Sequence, residues 1–344
     1  MANENEVVFG GFWMFGLFKK KKRIVAIEVQ DDFIRALSFT EGYVESADFH
    51  EAVLPEGLIL EEVVQDEIAF FELMKELVKE WGIRNFDVYF FVPDQAVLMR
   101  FIETPDALSL EEMKQYVQME IGESIHLPFK EPLIDVYQQP GQTSHEATLF
   151  AAPSEDSLMV REIYEDVKLH PTKLGIRALA NLRLLEHLTL LNHTKTYLVI
   201  DWSIRWASVS IYSERHVDFL RYQSFDNAAI DWRYTEMSDG RYQYIFEGNM
   251  EQYHQILRDQ MAEIERILNF YRFSLHKGEK AVDEIIMLGV HPEMAFIEKD
   301  LSDLIPLPIT VLTDATIQMK FSNFDMRHSA LLGLALKGAE VDGS

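Results

Sequence analysis

The chain has 344 residues, 48% of them hydrophobic, and a formal net charge of −25 from 57 acidic against 32 basic residues. That length and apolar content suggest about two globular domains, and the acidic excess argues against nucleic acid, which needs clustered Lys and Arg to neutralise phosphates. There is no cysteine, so disulfide frameworks, zinc ribbons and thiol nucleophiles drop out together and the cytoplasm is the expected compartment.

Charge changes sign at the start. Val7 to Phe18 is almost wholly apolar and is followed by Lys19, Lys20, Lys21, Lys22 and Arg23. A secretory signal carries its positive charges before the apolar run, and a spanning helix needs ~20 apolar residues, so neither fits. Residues 1–23 therefore read as a flexible leader with solubilising lysines, Met14 being an alternative natural start. The second reading is an aromatic-rich segment lying on an anionic inner leaflet through Lys19 to Arg23.

Ile24 to Val29, Ile34 to Thr40 and Tyr43 to Phe49 read as a β-meander with a turn at Glu41-Gly42. An amphipathic helix follows from Asp66 to Trp81, with Ile68, Phe71, Leu73, Met74, Leu77 and Val78 as its buried stripe. Strands are expected at Val88 to Val92 and Val97 to Glu103, each ended by proline. After Pro105 a smaller α+β module begins. Ser109 and Glu112 form a capping box for a helix running to Ser124, strands follow at Leu133 to Tyr137 and Ala147 to Ala152 around a Gln139 to Gln142 loop, and Ser154 caps another helix. Ile176 to Leu191 reads as a closing helix.

Leu198 to Ile200, Ala207 to Tyr212 and Val217 to Tyr222 repeat the opening meander, and each copy has an acid at its strand end, Glu28 and Asp201. Such an echo is what a duplicated two-lobed fold produces. An aromatic hairpin around Asp239-Gly240, a long helix from Met250 to His276, and strands at Glu284 to Leu288 and Pro308 to Leu312 complete the second half.

This order resembles the PilM and FtsA branch of the actin-like ATPase superfamily, and PilM more closely. The likeness lies in Met14-Phe15-Gly16-Leu17-Phe18-Lys19-Lys20, in Ile121-Gly122-Glu123-Ser124-Ile125-His126-Leu127-Pro128-Phe129, in Asp135-Val136-Tyr137 and in Leu268-Asn269-Phe270-Tyr271-Arg272. It implies an α/β, two-lobed actin-like (ribonuclease H-like, duplicated) fold with an inserted α+β subdomain, 1C. The expected division is lobe 1 over 24–102, 1C over 103–177, a closing helix over 178–195 and lobe 2 over 196–344, with a reduced 2B at about 226–280.

Members of that family bind ATP between the lobes and hold the N-terminal cytoplasmic tail of the membrane protein PilN beside 1C. In this chain all three nucleotide loops depart from the pattern. In the first loop Gln30 stands where the pattern has its second glycine; in the second, Asp201-Trp202-Ser203-Ile204-Arg205-Trp206 keeps the acid and loses the glycine; in the third, Leu288-Gly289-Val290-His291 keeps one glycine. Losing backbone donors in three loops together works against phosphate binding, so a pseudo-ATPase without cofactor is expected, with ATP and Mg²⁺ as the alternative. Glu28 and Asp201 are either holders of Mg²⁺-bound waters or strand-end acids accepting bonds from backbone, Arg35 or Arg205. Arg205 is either an anion ligand or a guanidinium that fills the vacated pocket and locks the lobes.

The eleven histidines form no ligand set, and neither a P-loop nor a nucleophile elbow is present. The resemblance points instead to a peptide groove on 1C formed by Met119, Glu120, Glu123, Ile125, Leu127, Pro128 and Phe129, although core packing explains the apolar members equally. The expected function is a type IV pilus scaffold at the inner membrane face that docks a PilN-like tail and is open to self-association. The alternatives are a working ATPase of the same machine and an FtsA-like polymerising protein.

Overall fold

The computed structural model describes residues 21–105, 108–138, 146–225, 231–237 and 242–337. Most of the leader, the Gln139 to Gln142 loop and the Asp239-Gly240 turn lie outside them. Lobe 1 is built from β1 (Arg23–Val29), β2 (Phe33–Thr40), β3 (Tyr43–Val53), the short pair β4 (Ile59–Leu60) and β5 (Val63–Val64), α1 (Glu67–Glu80) and β6 (Asp87–Phe91). The chain then leaves through β7 (Leu98–Glu103), α2 (Leu110–Glu120), β8 (Pro132–Tyr137) and β9 (Glu146–Pro153), and returns by α3 (Glu155–Asp166), β10 (His170–Gly175) and α4 (Arg177–His187).

Lobe 2 comprises β11 (Thr196–Trp202), β12 (Trp206–Ser213), β13 (His216–Ser224), the hairpin β14 (Trp232–Glu236) and β15 (Tyr242–Phe246), α5 (Met250–Asn269), β16 (Glu284–Gly289), α6 (Met294–Leu304), β17 (Ile309–Val311), α7 (Asp314–Gln318) and α8 (Ser329–Leu336). The two main sheets run β10-β6-β1-β2-β3 and β17-β16-β11-β12-β13. In each, an antiparallel meander is extended by parallel strands on the far side of its first strand. The repeated meander of the sequence is thus a duplicated sheet, matched strand for strand.

Alternation along the strands sets the layers, because successive side chains point to opposite faces. Val25 and Ile27 pack under α1 and α3 with Phe70, Met74 and Tyr164, whereas Ile24 and Ala26 face α4 and α8. In lobe 2, Leu198 and Ile200 meet Leu257, Met261 and Ile264 of α5, and Val199 faces the same central helices. α4 and α8 therefore lie between the sheets in a core both lobes share. Gly333 of α8 sits so close to α4 that a Cβ there would be 1.9 Å from the Ala180 carbonyl oxygen.

Several boundaries differ from the sequence reading. The strands β7-β9-β8 with α2 form a separate core around Met113, Val117, Val136 and Leu149, but α3 packs on α1 and β10 joins the lobe 1 sheet. Packing therefore divides 1C from lobe 1 near Pro153, not at Arg177. Ile68 is 77% exposed and Phe70 takes its place in the core, because Asp66 caps the helix and the buried face falls on Phe70, Met74, Leu77 and Val78. Ser154 makes no side-chain cap bond. α4 stops at His187, and the long helix is α-helical only to Asn269 before one π-helical stretch, Phe270–Leu275.

Candidate functional site between the lobes and beside 1C

β1 and β11 end side by side at the junction of the lobes, so the chain's two strand-end acids face a common space. Arg177, the first residue of α4, points into it and is only 2% exposed. Its guanidinium contacts Glu28, lies 2.5 Å from Glu62 and 3.0 Å from Asp94, and stacks over Trp206 with 5.1 Å from Cζ to the ring centroid. Asp94 follows β6 in a 3₁₀ turn whose amide donates to Glu62. Asp201 accepts from Asn181 Nδ2 at 2.8 Å.

The expected partners of the two acids are therefore corrected. Arg35 pairs with Glu51 at 2.5 Å, and Arg205 reaches across to Asp32 at 3.0 Å and Asp31 at 3.7 Å. The guanidinium beside Glu28 comes from α4, because α4 starts directly over the strand ends. Arg205 bridges the lobes at the β1–β2 turn and does not line the cavity between Glu28 and Asp201, so the reading that its guanidinium fills that pocket is corrected: Arg177 lies there. Phe33 of the same turn packs against Tyr234, Tyr242 and Tyr244 of the lobe 2 hairpin, with centroids 5.2–5.8 Å apart.

Gln30, at the lost glycine of the first loop, donates from Nε2 to Glu28. Trp202 packs in the lobe 2 core, fully buried, and Trp206 stacks under the Arg177 guanidinium; both border the cleft on either side of a tight turn in which Ser203 N donates to Trp206 O. Gly289 has φ +116, and a Cβ there would sit 2.1 Å from the Trp202 carbonyl oxygen. Its glycine is required by the close approach of β16 to β11, quite apart from any ligand. His291 is buried beside Tyr253, whose hydroxyl is 2.7 Å from Nε2; Nδ1 accepts from the Glu293 amide, and burial pushes the imidazole pKa down to about 3. The cavity left among Glu28, Gln30, Arg177, Asp201, Trp206 and Gly289 measures about 20 Å³, room for about one water. No group of three or more His, Asp or Glu among the described residues is arranged to hold a metal ion.

Four carboxylates sharing one buried guanidinium cannot all be charged cheaply. Burial, reinforced by Asp201, raises the Asp94 pKa to about 8, and burial also raises Glu62 and Asp201. A raised carboxylate pKa means the folded state binds more protons than the unfolded one between the two values, so stability falls as pH rises from about 4 to 8. Urea midpoints should decline across that window, and Asp94→Asn should flatten the decline. An unchanged slope in the variant would place the titration elsewhere.

A second cavity, about 350 Å³ in volume, opens between the 1C sheet and lobe 1. Its walls are Leu133, Ile134 and Phe150 of 1C against Leu174, Ile176 and Leu179 of lobe 1, with Leu334 at the base and Lys114, Asp135, Arg183 and Lys337 as its charges. β8, which forms one side, is an edge strand of its sheet. None of the seven residues expected to form a groove lines this cavity. Ile125 is in the 1C core with Leu127 and Phe129 packed against it, Glu120 accepts from Ser124, and Met119, Glu123 and Pro128 are exposed. The cause is local: α2 ends at Glu120, Gly122 takes φ +91, and the chain doubles back so that Ile125 bridges Ile121.

Sequence reasoning passed over Arg177, Glu62 and Asp94 at the first site and the whole lining of the second. A lone Arg after Gly175-Ile176 looks like any helix-surface charge. Two duplicated sheets with helices between and outside them, and a junction at the ends of the central strands, define an actin-like protein with an insertion in lobe 1.

The family model for "Type IV pilus assembly protein PilM" matches residues 34–336, and the chain belongs to that family. A solved structure described as a PilM-PilN type IV pilus biogenesis complex aligns with a TM-score of 0.69 at 17% identity, covering 92% of this chain and 98% of the other. More distant folds include MreB5 of Spiroplasma citri bound to ADP, with TM-score 0.48, 9% identity, and 94% and 99% coverage. Another is a Bacteroides thetaiotaomicron protein with an actin-like ATPase fold, with TM-score 0.47, 10% identity, and 93% and 98% coverage. A search of curated proteins found no match.

Proposed function

We propose that this chain is a cytoplasmic scaffold of a type IV pilus-like machine that docks the tail of a PilN-like membrane protein in the groove between 1C and lobe 1. The observation that carries the reading is that groove, an apolar trough of ligand-site volume. The edge position of β8 supports it, since an extended peptide can pair with such a strand. The PilM-PilN complex supplies the kind of partner. No helix among the described residues is long and apolar enough to cross a membrane, and attachment at the membrane face would come from the partner.

The same reading makes the interlobe site structural. Arg177 occupies the space between the acids that a Mg²⁺-bound nucleotide would use, and the remaining cavity is far below the ~300 Å³ of a small-molecule site. Labelled ATP with Mg²⁺ should show no saturable binding up to millimolar concentration. Micromolar affinity would restore the nucleotide-switch alternative. For the groove, Leu133→Trp should abolish capture of a synthetic PilN-like tail peptide while the protein melts as before; unchanged capture would place the tail elsewhere.

A further inference from the structure

We propose that the Lys114–Asp135 ion pair guards the open edge of β8, and that a docking tail displaces it and pairs with Ile134 and Val136 as a fourth strand of the 1C sheet. This rests on the groove reading above and adds how that groove is kept closed to other strands. β8 pairs with β9 on one side only. The Glu131 carbonyl accepts from the Ser154 amide at 3.0 Å, in register with the ladder that sets Pro132 opposite Pro153 and Ile134 opposite Ala151. Bonded residues alternate along an antiparallel pair, so the odd-numbered residues of β8 bond to β9, and the N–H and C=O of Ile134 and Val136 point to the open side. Ile134 itself lines the groove.

The ion pair lies across that side. Val136 packs in the 1C core with Met113 and Val117 of α2, so Asp135, one residue away on the strand, stands on the opposite face, beside Phe150 and toward lobe 1. Its Oδ1 nevertheless reaches Lys114 Nζ of α2 at 2.8 Å and accepts from the Val136 amide at 3.0 Å. β9 fills the other side of the strand, so carboxylate and ammonium meet around the open edge, where they occupy the Val136 N–H and set two charges in the path of an incoming strand. The lock is weak, since the side chains are 38% and 65% exposed and exposed pairs hold little. A released Asp135 has a second cation in Lys337 on the facing wall, whose pKa burial lowers, Arg183 lowers further and Asp135 raises. A segment whose apolar side chains also fill the trough between Leu133, Phe150 and Leu179 gains enough to open the edge, and a strand without them does not.

The test uses fluorescence anisotropy with the labelled synthetic cytoplasmic tail of the PilN-like protein from the same cell. Asp135→Ala and Lys114→Gln change the charge of the groove in opposite directions, yet each should tighten the tail about two- to fivefold, the range of an exposed ion pair, with melting curves confirming the fold. Shifts of opposite sign would assign the effect to net charge, and weaker binding in both would make the pair a direct ligand of the tail; either result, or no change, overturns the guard. Tails N-methylated at one amide at a time should lose affinity about tenfold at every second position along the docked segment, and the Ile134 amide should exchange more slowly in the complex. Losses without that alternation, or an Ile134 amide left unprotected, would overturn the strand pairing. If capture persists in Leu133→Trp, the groove reading falls and the guard with it. If capture is lost there while Asp135→Ala and Lys114→Gln change nothing, only the guard fails.

Discussion

Replacing Arg177 with methionine should lower the free energy of unfolding by about 3–5 kcal/mol, the usual cost of leaving buried charge without its partner. Methionine fills much of the same space, so packing is not the main loss. What disappears is the guanidinium that pairs with Glu28, Glu62 and Asp94, whose side chains are all less than a tenth exposed. Each acid would then hold its proton to higher pH, and the decline of stability with pH should steepen. Adding Glu28→Gln, Glu62→Gln and Asp94→Asn to Arg177→Met should recover most of the loss, since removing every member of a buried ionic group is far milder than removing one. Urea denaturation at two pH values reads both effects. A loss under about 1 kcal/mol would mean that water reaches the cluster.

Gly333→Val should cost about 3 kcal/mol or more, because the added carbons meet backbone where α8 crosses α4. The nearest atom is the Ala180 carbonyl oxygen at 1.9 Å, so neither a rotamer change nor a smaller neighbour gives relief. Ala180→Gly, which removes only a methyl, should therefore fail to rescue the variant. Rescue would show that the clash is between side chains. The expected signature in urea is a lower midpoint, and because the helices lie between the lobes both should loosen together.

The sheets were legible because their strands alternate and their turns carry Gly or charged pairs, and the duplication was legible because two acids end equivalent strands. α8 was not, since Ser329–Leu336 is apolar all round and has no periodicity to separate helix from strand. The π-helical end of α5 was merged into the helix because i,i+3 and i,i+4 spacing continues through it. At the interlobe site the departures in the loops were readable residue by residue, but Glu62, Asp94 and Arg177 come from the turn before β5, the end of β6 and the start of α4, three segments brought together only by folding. On 1C, the left-handed Gly122 lets the chain double back, so Ile125, Leu127 and Phe129 pack inward while Met119 and Pro128 stay exposed. The 350 Å³ cavity beside 1C draws one wall from lobe 1, and no local pattern in 1C encodes that wall.

The central position of α8 also orders events in time. It packs against α4 and against β1, β2, β3 and β6 of lobe 1, yet it follows the whole of lobe 2 in the chain. Residues of lobe 1 emerging first from a ribosome, at ~5–20 per second, therefore wait with Ile24, Ala26 and Leu37 uncovered until the second lobe has been synthesised. The face of the lobe 1 sheet that α8 covers is thus completed by the last helix of the chain, so lobe 1 alone lacks part of its own core.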